Sequence, residues 1–168
     1  MEILDLYRKD GSPTGLTIKR GEDIPYGYCS LACEALIKHE DGSYLCMRRS
    51  STKDVFPGYL ETSVGGGALS GEDPIACIKR EAAEESGLIL KDLEEIGITI
   101  NEDRRHIIHS YLAVVKVNKN SIKLQPEETE DYCWLTEEEF KDLMTSDKAI
   151  PTQRERLLPF LRASGILN

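Results

Sequence analysis

Three carboxylates, Glu81, Glu84 and Glu85, stand at i, i+3 and i+4 of a segment that reads as a helix, so one helical face carries all three. Alone in water such a cluster repels itself and weakens the helix. It becomes favourable when a hard divalent cation lies over that face, because Mg²⁺ is bound by carboxylate and phosphate oxygens together. Mg²⁺ is therefore the expected cofactor, with Mn²⁺ as the alternative. In phosphoryl transfer such a cation neutralises the phosphate charge, while a carboxylate orients or deprotonates the attacking water.

The elements that must position these acids are well marked. Asp73 is a good N-cap, and Pro74 follows at the first helical position, where its missing N–H costs nothing. Ile75, Ile78, Ala82 and Leu88 supply an apolar stripe, and Gly87 is placed to end the helix in the left-handed conformation. Upstream, Gly65-Gly66-Gly67 reads as a loop that lets the backbone pass close to a ligand or metal. The unit is thus strand, glycine loop, acidic helix, glycine stop.

Gly66, Glu72, Arg80-Glu81-Ala82, Glu84-Glu85 and Gly87-Leu88 resemble the Nudix box at every fixed position, over residues 66–88. The structural alternative, a solvated acidic helix with a terminal glycine, does not account for Glu72, Arg80 and the glycines together. The resemblance implies an α/β/α sandwich with a mixed sheet, and hydrolysis of a nucleoside diphosphate linked to another moiety. It implies Glu81, Glu84 and Glu85 as metal ligands and the Gly66 carbonyl as a further one. Glu84 and Glu85 then count as catalytic. Glu72 either contacts the metal through water or holds the loop, and Arg80 pairs with a box carboxylate. A homodimer is also what the resemblance implies.

Outside the box, the acids Glu127, Glu128, Glu130 and Asp131 precede the strand that holds Trp134. Similarity to the family marks Glu128 as the catalytic base by its distance from that tryptophan, with Glu127 and Glu130 as neighbours in contention. A solvated acidic loop is the plain alternative. Arg48 and Arg49 end a strand and are candidates to grip phosphate, as against ordinary surface charges. Glu61 is a further substrate contact, and the base if no loop acid serves. His39, His106 and His109 show no partner spacing and read as strand or surface histidines.

From Ser30 to Glu72 the chain also looks like isopentenyl-diphosphate isomerase, a Nudix-fold relative. Asp41-Gly42, Leu45, Arg48-Arg49, Lys53, Pro57-Gly58 and Ser63-Val64 carry that likeness, and an N-terminal hairpin with Asp5, Gly11 and Gly15 fits it. The isomerase's catalytic cysteine falls at Gly65, however, and its metal-binding histidines fall at Ser30 and Gly67. Glycine neither moves a proton nor binds metal through a side chain. Three functions follow from the resemblance: a Mg²⁺-dependent diphosphate hydrolase, an isomerase, and a non-catalytic ligand sensor. The complete box favours the first, since sensors usually carry an eroded one.

At 168 residues, 40% hydrophobic and 30% charged, the chain is expected to form one soluble domain, 1–168, with the N-terminal hairpin at 1–20. No run approaches the ~18 apolar residues of a membrane span. Met1-Glu2-Ile3-Leu4-Asp5 carries no basic start, so no signal peptide and a cytoplasmic location are expected. The net charge of −9, with no basic tract, argues against a nucleic-acid polymer as partner. A small anionic diphosphate is still acceptable if Mg²⁺ bridges it. Five cysteines include no Cys-x-x-Cys pair and read as reduced and mostly buried, with a Cys29–Cys33 metal site a distant second.

Alternation predicts strands at 3–7 and 15–19, Tyr28–Ile37, Tyr44–Arg48, Glu61–Val64, Ile96–Ile100, His106–Val117 and Tyr132–Leu135. Thr136 and Glu139 form a capping box for a helix over Glu137–Met144. A last helix starts near Thr152, with Pro159 set to kink or end it. Substrate specificity is expected in the 20–28, 50–60 and 100–106 stretches.

Overall fold

A computed structural model describes residues 1–167. Its strands are β1 (Ile3–Arg8), β2 (Pro13–Lys19), β3 (Tyr28–His39), β4 (Tyr44–Arg49), β5 (Leu60–Glu61), β6 (Val64–Gly67), β7 (Glu94–Asn101), β8 (His106–Val115) and β9 (Thr129–Leu135). The helices are α1 (Pro74–Ser86), α2 (Glu137–Thr145) and α3 (Pro151–Ala163). β3 and β8 run parallel from Ser30↔His106 to His39↔Val115, whereas β6, β4 and β1 lie antiparallel to β3, so the sheet is mixed. The β1–β2 hairpin attaches through Tyr7↔Cys29.

Period-2 alternation along β3 and β4 sorts the core into two layers. Cys29, Leu31, Cys33, Ala35 and Ile37, with Leu45 and Met47, pack under Cys77, Ile78 and Ala82 of α1. Leu36, Tyr44 and Cys46 face the other way, onto Phe140 and Met144 of α2 and Leu157 and Leu161 of α3. Tyr44 stacks on Phe140 with ring centroids 4.2 Å apart. Helices on both faces of one mixed sheet make the expected α/β/α sandwich. No helix among the described residues is long and apolar enough to cross a membrane.

Four local expectations are corrected. The glycine run is a strand, β6, not a loop, because it pairs with β3 from Ala32↔Gly67 to Ala35↔Val64. The single strand expected at Glu61–Val64 is split. Thr62 donates its backbone N–H to Gln153 Oε1 at 3.1 Å instead of to a strand, and there the chain passes from pairing with β4 to pairing with β3. Ile75 is solvent-exposed, and Cys77 takes its place in the buried stripe. α3 continues through Pro159 to Ala163, because Leu157 and Leu161 on either side of it are fully buried and hold the helix to the sheet.

The helix caps are as read. Asp73 accepts the Ala76 N–H, Gly87 ends α1 at φ 71°, and Thr136 and Glu139 form the capping box of α2. All five cysteines are free thiols, and only Cys133 is not fully buried.

β6 lies so close to β3 that a Cβ on Gly65 would sit 2.1 Å from the Cys33 carbonyl oxygen. Backbone cannot yield as a flexible side chain can, so overpacking here is expensive. Gly65→Ala and Gly65→Cys should each lose about 1–3 kcal/mol or more of stability and lower Tm by several degrees in thermal unfolding. Wild-type Tm in both variants would show that β6 can move away from β3.

Candidate active site

The acidic face of α1 is pressed onto the glycine strand. A Cβ on Gly66 would fall 2.5 Å from the Glu81 carboxylate, so the absence of a side chain there makes room for Glu81. One guanidinium binds the assembly. Arg80 donates to Glu72 at 2.7 and 2.9 Å, to Glu81 at 2.8 Å, to Glu84 at 3.0 Å and to the Gly67 carbonyl at 3.0 Å. These bonds hold Glu72 below the usual carboxylate range, and Glu72 in turn caps the turn before α1 by accepting the Leu69 N–H at 2.8 Å.

The three box acids have different surroundings. Glu84 is the outermost, half-exposed and bonded to Arg80. Glu81 is buried, and burial raises its pKa against the pull of Arg80. Glu85 accepts the Gly65 N–H at 3.0 Å, and its pKa is pushed up to about 8, first by burial and then by the charges of Glu61, Glu81 and Glu128. Glu61 and Glu128 therefore belong to the same electrostatic neighbourhood although they come from β5 and the approach to β9.

Glu61 forms an ion pair with Arg49 at 2.5 Å, yet burial outweighs that partner and raises its pKa. Glu128 is paired with Lys53. Of its neighbours, Glu130 accepts the Ser51 N–H at 3.0 Å and Glu127 is exposed. The Gly66 carbonyl faces α1, where the Cys77 thiol lies 3.7 Å away. Among the described residues no three His, Cys, Asp or Glu side chains close into a metal cage in this arrangement. The donor set itself is carboxylate oxygen crowded by like charge, which suits a hard divalent cation.

Arg48 donates Nη1 to the Gly58 carbonyl at 3.0 Å and is not among the residues that line the two cavities next to Glu61. Arg49 does line a cavity, beside Glu61. The three histidines lie in strands as expected, His39 in β3 and His106 and His109 in β8, and each has a hydrogen-bond partner. His106 bonds Ser30 at 2.7 Å and His109 bonds Glu95 at 2.7 Å, while His39 meets the Val117 carbonyl at 3.1 Å.

Sequence reasoning missed Glu34, Arg156, Gln153 and Phe56. Glu34 is buried on the α3 side of β3 and receives both Nε and Nη2 of Arg156 at 2.7 Å, plus the hydroxyls of Ser110 at 2.7 Å and Ser63 at 3.2 Å. A charged residue in the middle of the apolar run from Leu31 to Ile37 was the available signal. Phe56 lines the cavity in a left-handed conformation, φ 51°, which is rare for a bulky residue. The 50–60 and 100–106 stretches both reach that cavity, through Val55, Phe56, Asn101 and Arg104.

The NUDIX domain family profile matches residues 31–157, and the chain belongs to that family. An uncharacterised Nudix hydrolase of Listeria monocytogenes is 32% identical over 152 residues, covering 90% of this chain and 89% of that protein. Uncharacterised YfcD of Escherichia coli K12 is 35% identical over 98 residues, which is 58% of this chain and 54% of YfcD. Among solved structures, DR0079 of Deinococcus radiodurans superposes with a TM-score of 0.73 at 23% identity, over 92% of this chain and 96% of that one. The Nudix domain of Shewanella oneidensis NrtR, complexed with ADP ribose, gives 0.60 at 15% identity, over 80% and 86%. These two structures share the fold.

Glu85 generates a pH prediction for the metal-free protein. Its folded pKa lies above the unfolded value of 4.5, so the folded state holds the extra proton between 4.5 and about 8. Stability then falls as pH rises through that window. In EDTA, Tm should drop by several degrees from pH 5 to pH 8, and Glu85→Gln should flatten most of that drop. An unchanged slope in the Gln variant would place the proton elsewhere.

Proposed function

We propose that the chain is a Mg²⁺-dependent hydrolase that cleaves the diphosphate linkage of a nucleoside-diphosphate-type or related organic diphosphate. The observation that carries this is the gathering of Glu61, Glu81, Glu85 and Glu128 around the start of β6, where Glu85 is held near pKa 8 by burial and like charge. Glu61 and Glu128 have Arg49 and Lys53 as partners, but Glu81 and Glu85 crowd the same space with Arg80 bonded only to the first of them, and a divalent cation would offset that charge. Mg²⁺, or Mn²⁺, would be held by Glu81, Glu84 and Glu85, and when bound it supplies charge neutralisation for the diphosphate. The Gly66 carbonyl is a further candidate ligand.

The chain's own groups have distinct tasks in this reading. Arg80 and Glu72 fix the rotamers of the acidic face. Glu128 takes the proton of the attacking water, and Lys53 beside it orients the carboxylate. Arg49 and Glu61 bound the substrate side. The ADP ribose bound by the NrtR domain supports a small-molecule substrate. A homodimer acting in the cytoplasm is part of the same proposal.

The isomerase-like frame is part of the same proposal, because the hairpin of β1 and β2 and the Pro57-Gly58 turn are kept. The isomerase activity is not. A cysteine side chain at Gly65 would collide with the backbone of β3, and Ser30 is engaged by His106.

Release of monophosphate from a diphosphate panel, with and without Mg²⁺, tests the reading. Glu84→Gln and Glu85→Gln should fold and lose several orders of magnitude in turnover, since a neutral amide is the weaker Mg²⁺ ligand and the diphosphate would lack the metal's charge. Glu128→Gln should lose ~10²–10⁴ while the Gln variants at 127 and 130 stay near wild type. Full activity in either box variant at saturating substrate and Mg²⁺ overturns the assignment. Metal-independent binding with no turnover on any member would point to a sensor instead.

A further inference from the structure

Beside the acidic face lies a cavity of about 230 Å³ lined by Arg49, Arg104, Arg156, Gln153, Thr152 and Phe56. A second cavity of about 190 Å³ runs along Gly65 and Gly66, and the two share Glu61, Ile108, Gln153 and Arg156. The trough thus leads from the carboxylates to the turn between β7 and β8.

From the junction of the two cavities outward it is rich in donors that lack protein acceptors. Arg156 is fixed by Glu34 through Nε and Nη2, and its Nη1 has no protein acceptor among the described residues. Gln153 is only 8% exposed. Its Oε1 accepts the Thr62 N–H, and because a backbone N–H can only donate, that bond assigns the oxygen end. The Nε2 end is left without an acceptor among the described residues. Arg104 makes no side-chain hydrogen bond or ion pair among them either. α3 opens on the same cavity, and its N-cap, Ile150, offers no side-chain acceptor to the first N–H groups. The carboxylates in the lining of the two cavities, Glu61 and Glu34, are already paired with Arg49 and Arg156.

In a chain of net charge −9 such a convergence of unsatisfied donors is an anion subsite built in advance. We propose that Arg156, Arg104 and Gln153 bind a phosphate or carboxylate that the substrate carries beyond its scissile diphosphate. The substrate class is therefore a diphosphate ester whose second moiety ends in an anion. This rests on the hydrolase reading for the word substrate, but the anion site stands or falls by itself. Arg156 is preorganised because Glu34, Ser63 and Ser110 lock its guanidinium, whereas Arg104 closes from the solvent side. A site built to hold a charged group discriminates strongly against analogues that lack it.

Two measurements separate the subsite from the hydrolase. In EDTA, inorganic phosphate and acetate are titrated separately while the backbone amide resonances of Thr152 and Gln153 are followed. Saturable shifts with either anion, weakened about tenfold or more in Arg104→Ala, are expected, and which anion binds tells phosphate from carboxylate. Arg104 is exposed and unpartnered, so this variant puts no folding at risk. Arg156→Lys keeps the charge opposite Glu34 and should also weaken binding.

With Mg²⁺, nucleoside diphosphate esters of an alkyl alcohol and of the same alcohol ending in phosphate or carboxylate are compared. The anionic ester should gain about tenfold in kcat/KM, chiefly through KM, and lose the gain in Arg104→Ala. Turnover without any preference, together with unmoved amides, overturns the subsite and leaves the hydrolase standing. Shifted amides without turnover sink the hydrolase and keep the subsite.

Discussion

The site depends on one close contact, the acidic face of α1 against a strand that has no side chains to keep it away. Gly66 leaves the space that the Glu81 carboxylate occupies, and Gly65 lets β6 lie directly on the backbone of β3. Arg80 then ties helix, preceding turn and strand together through Glu72, Glu81, Glu84 and the Gly67 carbonyl. Remove that guanidinium and the helix face would carry unpaired like charges against a rigid sheet. The glycines and the arginine are thus one device, in which each is useful only because the others are present.

The two faces of the sheet solve the burial of charge differently. Toward α3, Glu34 is matched by a bidentate arginine and two hydroxyls, so its desolvation is offset by a full set of bonds. On α1, packed against the other face, Glu85 has one backbone N–H and several like-charged neighbours. The first arrangement is complete without help. The second is left with uncompensated negative charge, and that contrast between the two glutamates is what the proposed cation would remove.

Much of this was legible in the sequence where the deciding interactions are local. Asp73, Pro74 and Gly87 bound α1 because capping is settled within a few residues. The hairpins and the capping box at Thr136 follow for the same reason. What depended on remote partners was hidden. Gly65 to Gly67 form a strand only because β3 lies alongside, and the break at Thr62 exists because Gln153 arrives from α3. Pro159 looks like a helix stop until Leu157 and Leu161 are seen anchoring both sides of it. Of the candidate site residues, Glu81, Glu85, Glu61 and Glu128 do come into one neighbourhood, whereas Arg48 is turned to the Gly58 carbonyl. Arg156 carried no signal, since nothing near it in the chain announces a buried carboxylate 122 residues away.

That separation has a consequence for how the protein is made. β3 must wait for β8, some 76 residues on, before its long parallel pairing can form, and Glu34 must wait longer still for Arg156. Parallel pairing between remote strands is entropically slow to close. A nascent chain leaving the ribosome therefore presents β3 with an unmatched acid in its middle, which disfavours burial of that strand against the wrong neighbour. Until α3 brings Arg156 to it, burial of β3 carries the cost of desolvating an unpaired carboxylate.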